Sequence, residues 1–136
     1  MADYNLDLAA IIPEVRDSLA DAPFDMLDDK LIFKDLQDAF DFVCMIVADD
    51  VNIRSIRRCT IRLATYISYK NYISLAERRL GTLPESSPIM LQTLLMQAYN
   101  CLSYITAVPI NEDLSLNADK LGNPCDGMLS PSMIEA

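Results

Sequence analysis

The sequence contains no histidine, only three glycines and four cysteines in 136 residues. Without histidine, a serine or cysteine nucleophile lacks its usual positioned base. Cys44, Cys59, Cys101 and Cys125 include no C-x-x-C pair, so no zinc-ligand spacing exists either. The glycines do not form G-x-x-x-x-G-K-[ST] or G-x-G-x-x-G, which excludes the common phosphate cradles. Two of them, Gly122 and Gly127, fall in the last fifteen residues, leaving a body almost free of glycine. No apolar stretch approaches the ~20 residues of a membrane span. The first residues show no basic region followed by an apolar run, so no signal peptide is expected. Cys44, Cys59 and Cys101 sit inside apolar helical patterns, where free cysteine behaves as a small hydrophobe. They are expected to be buried thiols rather than disulfides, in a soluble chain made in a reducing cytoplasm.

What the sequence does contain is an apolar half, 51 % of its residues, enough for one core at this length. A body rich in Leu, Ile, Ala, Asp and Arg and poor in Gly favours helices. The net charge of −9 is unevenly spread. Residues 1–50 carry thirteen acids and three bases, residues 51–80 seven bases and one acid, and residues 81–136 six acids and one base. Such a chain has little overall attraction for nucleic acid, but its basic part suits an acidic neighbour, which an identical copy would supply.

Apolar spacing near 3.6 residues defines four helices. The first carries Leu8, Ile11, Ile12, Val15 and Leu19, with Pro13 either opening its regular part or kinking it, and Ala22-Pro23 ending it. The second begins near Asp28, with acids at the positive end of the helix dipole. Its core face is Ile32, Leu36, Ala39, Phe40, Val43, Ile46 and Val47; Asp28, Asp35, Asp38, Asp41 and Asp49 lie on the opposite half of the wheel, with Phe42 and Met45 among them. Those two apolar groups are either surface scatter or a second contact surface. Asn52 or Asp50 caps the third helix, about residues 53–80, whose core face is Ile53, Ile56, Thr60, Leu63, Ala64, Ile67 and Asn71. Gly81 stops it. After a linker, Ser87 caps a fourth helix with Pro88 at its first position; Leu91, Leu94, Leu95, Ala98, Leu102 and Ile105 form its stripe. Short connections favour an antiparallel four-helix bundle over residues 1–107.

From Val108 the periodicity stops. Residues 108–136 hold Pro109, Gly122, Pro124, Gly127 and Pro131 and have no core of their own. They form an extended C-terminal arm expected to lie against the parent domain or a neighbouring subunit.

Two charge clusters compete for a functional reading. Asp35, Asp38 and Asp41 recur every three residues; clustered carboxylates hold Mg²⁺ for phosphate chemistry, but a solvated acidic face is the plainer account. On the third helix Arg54, Arg58, Arg62, Tyr69 and Tyr72 fall within about a quarter-turn of one another, opposite the core face, with Arg57 between that stripe and the core. Three readings stay open: a solvated face, docking onto an acidic protein surface, and contact with phosphate or nucleic acid. The acidic flanking segments oppose the third. The long acidic helix ahead of the arginines does not suit a helix-turn-helix.

In its order of features the chain resembles the small helical head–tail connector (adaptor) proteins of tailed bacteriophages. The resemblance covers roughly residues 6–106 and rests on Ile12-Pro13-Glu14-Val15-Arg16, the Pro23 break, and Leu31 through Val47 with Asp35, Asp38, Ala39 and Phe42-Val43. Ala64-Thr65-Tyr66-Ile67-Ser68-Tyr69-Lys70 and the Pro88-opened helix complete it. It implies a helical bundle repeated as a dodecameric ring beneath the portal, extending the DNA channel and docking the next ring or the tail. It further implies a virion protein assembled in the host cytoplasm. Such a protein contacts passing DNA without reading its sequence and has no enzymatic activity, cofactor or metal. Opposite charge on two helices and an extended arm suit head-to-tail contacts between copies. The expected interface residues are Arg54, Arg58, Arg62, Tyr69, Tyr72, Asp35, Asp38, Phe42 and Met45, with Pro109, Pro124 and Pro131 of the arm. The alternatives are a cytoplasmic helical regulator binding one partner protein in a groove, and a Mg²⁺-dependent phosphate enzyme using Asp35 and Asp38.

Overall fold

The computed structural model describes residues 4–19, 27–81 and 87–116, and within them the protein is all helical, with four α-helices. A 3₁₀ turn, Ala9–Ile11, leads into α1 (Ile12–Ser18), followed by α2 (Asp29–Ile46), α3 (Ile53–Leu80) and α4 (Ser87–Ile105). Pro13 opens α1 rather than kinking it: it occupies the first turn, where its missing N–H costs no intrahelical bond. α1 ends at Ser18, with Leu19 outside helical dihedrals and its N–H donating to the Arg16 carbonyl, so the helix stops before the expected Ala22-Pro23, which lies outside the described residues.

The helix ends follow side-chain chemistry. Asp28 caps α2, its carboxylate accepting from the Leu31 N–H at 2.9 Å, and Asn52 caps α3 by accepting from the Ser55 N–H at 3.0 Å. Each supplies an acceptor to one of the backbone donors that a first helical turn leaves free. Gly81 closes α3 in the left-handed conformation at φ +73°, its N–H donating to the Glu77 carbonyl. Pro88 falls in the first turn of α4, as expected.

The core gathers Ile11, Val15 and Leu19 with Ile32, Leu36, Ala39, Val43 and Ile46 of α2. Ile56, Cys59, Leu63 and Ala64 of α3, and Leu94, Ala98, Leu102 and Ile105 of α4, complete it. These are largely the apolar stripes read from periodicity. Phe40, Val47, Ile67 and Leu91 are only partly buried and pack at the margin. Ile53 and Asn71, expected on the core face of α3, are exposed.

The helices are tied at identifiable points. Asp35 on α2 meets Ser68 and Asn71 on α3, while the far end of α2 connects through residues 47–52 to the start of α3. Cys59 near the start of α3 meets Cys101 near the end of α4. The ends of α2 and α4 are stitched by backbone bonds, Ala48 N–H to the Ile105 carbonyl at 2.8 Å and Ala107 N–H to the Ile46 carbonyl at 2.7 Å. The Tyr4 hydroxyl donates to the Val51 carbonyl at 2.6 Å and holds the N-terminal segment at the same end.

The first part of the expected C-terminal arm, residues 108–116, packs against the helical core. Ile110 is buried in the core, and Val108 and Leu114 pack against it. A turn closes as the Asn111 N–H donates to the Ser115 carbonyl at 2.7 Å, with Leu114 at φ +73°. Residues 117–136, with Pro124 and Pro131, lie outside the described residues.

Gly81 makes the stop of α3 testable. A Cβ added there meets nothing within 4 Å, so only backbone strain opposes it. Gly81→Ala should therefore lower unfolding stability by roughly 1–2 kcal/mol without altering the folded circular-dichroism spectrum, as measured by urea denaturation.

Candidate functional site

A basic cleft of about 480 Å³ lies where α1, α3 and α4 meet. Arg54, Arg57, Arg58 and Arg62 line it together with Glu14, Ser18, Ile61, Thr65, Leu94 and Gln97. Its origin is the α3 sequence: positions 54, 58 and 62 recur every four residues and stack along one side of the helix, and Arg57 borders them. Arg57 is the one member neutralised within the cleft, through an ion pair with Glu14 across from α1. Among the described residues no acid lies within ion-pair distance of Arg54, Arg58 or Arg62.

The second half of the expected stripe is not at the surface. Tyr69 and Tyr72 are each 7 % exposed and pack together with ring centroids 5.8 Å apart. A helical wheel projects all 28 residues of α3 onto one circle, although the helix is about 42 Å long. The buried arc turns along that length: Ile56, Leu63 and Ala64 bury one sector near the start, and Ser68, Tyr69, Tyr72 and Ala76 bury nearly the opposite one near the end. One sector of the wheel is thus solvent at Arg58 and core at Tyr72.

Asp35 is likewise displaced from the expected acidic surface. It is 3 % exposed, and its carboxylate accepts from the Ser68 hydroxyl at 2.7 Å and the Asn71 side-chain amide at 3.0 Å. A buried carboxylate requires such donors, and α3 provides them at positions one helical turn apart. Burial pushes the Asp35 carboxyl above its ordinary value, while the two donated hydrogen bonds pull it down. Asp38, by contrast, is exposed and pairs with Lys34 one turn earlier at 3.5 Å. The two aspartates considered for Mg²⁺ therefore serve different partners, one inside the bundle and one at its surface.

The remaining expected interface groups divide by exposure. Met45 is 57 % exposed, on the same outer side of α2 as the exposed Asp38 and Asp41. Phe42 is half-buried against the core, and Pro109 is half-buried beside it in sequence with Ile110. Ile53 at the start of α3, expected on its core face, is a wet apolar group, and so is Tyr104 near the end of α4, which periodicity did not single out; Tyr104 is 93 % exposed. Its position outside the stripe through Leu94, Ala98, Leu102 and Ile105 was the available signal.

A second, smaller cleft of about 310 Å³ lies at the end of the bundle where α2 passes into α3, lined by Asp50, Asn52, Ser55, Arg58, Cys59, Cys101 and Tyr104. Cys59 is fully buried and Cys101 half-buried. Cys44 is also half-buried, and Cys125 lies outside the described residues. No helix of the described residues is long and apolar enough to cross a membrane.

Compared with known proteins, the chain matches no protein-family model, no curated protein and no solved structure.

The Asp35 contacts predict a pH signature. A carboxyl raised in the fold holds its proton more readily there than in the unfolded chain. Its contribution to stability is complete below the ordinary carboxylate value of 3.8 and is lost as pH rises through the raised value. Wild type should therefore lose ground to Asp35→Asn as pH climbs from acid to neutral in urea unfolding. Asp35→Ala, which leaves the buried Ser68 hydroxyl without its acceptor, should cost about 1–3 kcal/mol at neutral pH.

Proposed function

We propose that the protein is a non-catalytic structural subunit that assembles with its own copies into a ring, as a head–tail connector beneath the portal of a tailed bacteriophage. The observation that carries this reading is the separation of charge between two helices. Arg54, Arg58 and Arg62 on α3 have no acid of the described residues to pair with, while Asp41 and the neighbouring Asp38 stand exposed on α2 with Met45. Complementary patches on different faces of one molecule give heterologous contacts between identical subunits, and these close into a ring when the rotation allows.

In this reading the fold is an antiparallel four-helix bundle, and the segment from Val108 continues into an arm that reaches a neighbouring component of the virion. The ring extends the DNA channel without reading sequence and docks the tail or a second connector. Tyr69, Tyr72 and Asp35 are assigned to the interior of the subunit rather than to its interface. Phe42 and Pro109 flank the contact from partly buried positions.

The alternative, a helical regulator holding one partner protein, draws on the basic cleft between α1, α3 and α4, which has room for an acidic side chain from that partner.

Charge reversal separates the two readings. Arg58→Glu combined with Arg62→Glu should abolish higher-order assembly, measured by light scattering and electron microscopy with the portal protein of the same virus present. Mixing that variant with Asp38→Lys/Asp41→Lys should restore it. A wild-type chain that stays monomeric with the portal overturns the connector reading, and a one-to-one complex with a host protein supports the regulator. Assembly that survives the double reversal unchanged removes the arginine face from the interface.

A further inference from the structure

The cysteines offer a feature that the assembly reading does not use. Cys59 on α3 and Cys101 on α4 face each other with their sulfur atoms 2.6 Å apart, across 42 residues of chain. This juxtaposition differs from the expectation that each thiol simply fills apolar space. The pair is also asymmetric: both line a cleft bordered by Arg58, Asp50 and Tyr104, but Cys59 is fully buried whereas Cys101 is half-buried.

We propose that Cys101 and Cys59 form a peroxide-responsive thiol pair, Cys101 being the attacking thiol and Cys59 the resolving one, which closes into a disulfide joining α3 to α4. The inference rests on the thiol geometry and is independent of ring assembly.

The environment distinguishes the two roles. The hydrogen-bond contact with the Cys59 sulfur and the positive potential of the Arg62 and Arg58 guanidiniums lower Cys101 below the ordinary thiol value despite partial burial. The same hydrogen bond and its burial push Cys59 upward. Cys101 is therefore the more readily ionised of the two, and the thiolate is the nucleophilic form.

In the first step the Cys101 thiolate attacks one oxygen of hydrogen peroxide. The O–O bond breaks, hydroxide leaves, and Cys101 becomes a sulfenic acid. Cys59 is then released from its hydrogen bond to a thiolate. Its sulfur attacks the sulfenic sulfur, the S–O bond breaks, and the Cys59 proton leaves with the expelled hydroxide as water. The first hydroxide takes up the proton that Cys101 released on ionising. Two thiols and one peroxide thus yield one disulfide and two waters. The cross-link joins positions far apart in sequence, which restricts the unfolded chain and favours the fold.

The test uses the full chain, reduced and then treated with one equivalent of hydrogen peroxide before alkylation with iodoacetamide. The expected product is about 2 Da lighter before alkylation, carries label on Cys44 and Cys125 only, and yields a peptide joining Cys59 to Cys101. Its Tm should rise by about 10 °C and return to the starting value with dithiothreitol. In the reduced protein, alkylation of Cys101 should accelerate at a lower pH than alkylation of an ordinary free thiol. Cys59→Ser should stop the reaction at a dimedone-reactive sulfenic acid on Cys101. If all four thiols remain alkylatable after peroxide, or if Cys101 proceeds to sulfinic acid without a cross-link in the wild-type chain, the proposal is overturned. The wild-type measurements decide this even where a serine variant does not fold.

Discussion

The structure depends on α3 lying between the other helices. It packs against α1, α2 and α4 at once, so a single 28-residue helix supplies one side of the two largest interfaces, those with α2 and α4. A helix in that position cannot keep one dry stripe and one wet stripe along its whole length. Near its start, neighbours cover the sector of Ile56, Leu63 and Ala64, leaving Arg54 and Arg58 exposed and Arg57 and Arg62 half-buried; near its end they cover Tyr69 and Tyr72 instead. The basic cleft is the consequence. The arginines cluster where α1, α3 and α4 meet, and Glu14 of α1 offsets one of them.

The polar contacts inside the bundle serve this arrangement by fixing register. Hydrophobic packing is non-directional and tolerates sliding of α2 along α3. The Asp35 carboxylate accepting from Ser68 and Asn71 does not, because a slip of one turn leaves a buried acceptor and the buried Ser68 hydroxyl unmatched. At the opposite end of α2, the paired backbone bonds between Ile46, Ala48, Ile105 and Ala107 hold α4 in step. The Cys59–Cys101 contact occupies the matching position between α3 and α4. Each interface of the central helix thus has one specific contact added to its apolar area.

Much of the fold was legible in the sequence because its cues are local. Asp28, Asn52 and Gly81 announce helix ends through hydrogen bonds and dihedral preferences confined to a few neighbouring residues. The stripes on α2 and α4 are legible because each packs against partners on one side, which is the condition that makes a wheel informative. The arginine cluster was legible as well, from spacing alone.

The sequence by itself determined the helical class, the caps of α2 and α3, most of the apolar core and the concentration of positive charge on α3. Only the tertiary structure decided that Tyr69, Tyr72 and Asp35 lie inside, that Ile53 and Asn71 lie outside, and that Cys59 meets Cys101. The physical reason is the same in each case. Burial on a helix flanked by several neighbours is set by which neighbour crosses at which height, and a thiol or carboxylate finds its partner 33 to 42 residues away. Periodicity reports the angle of a side chain about its own axis, and carries no record of what stands opposite it.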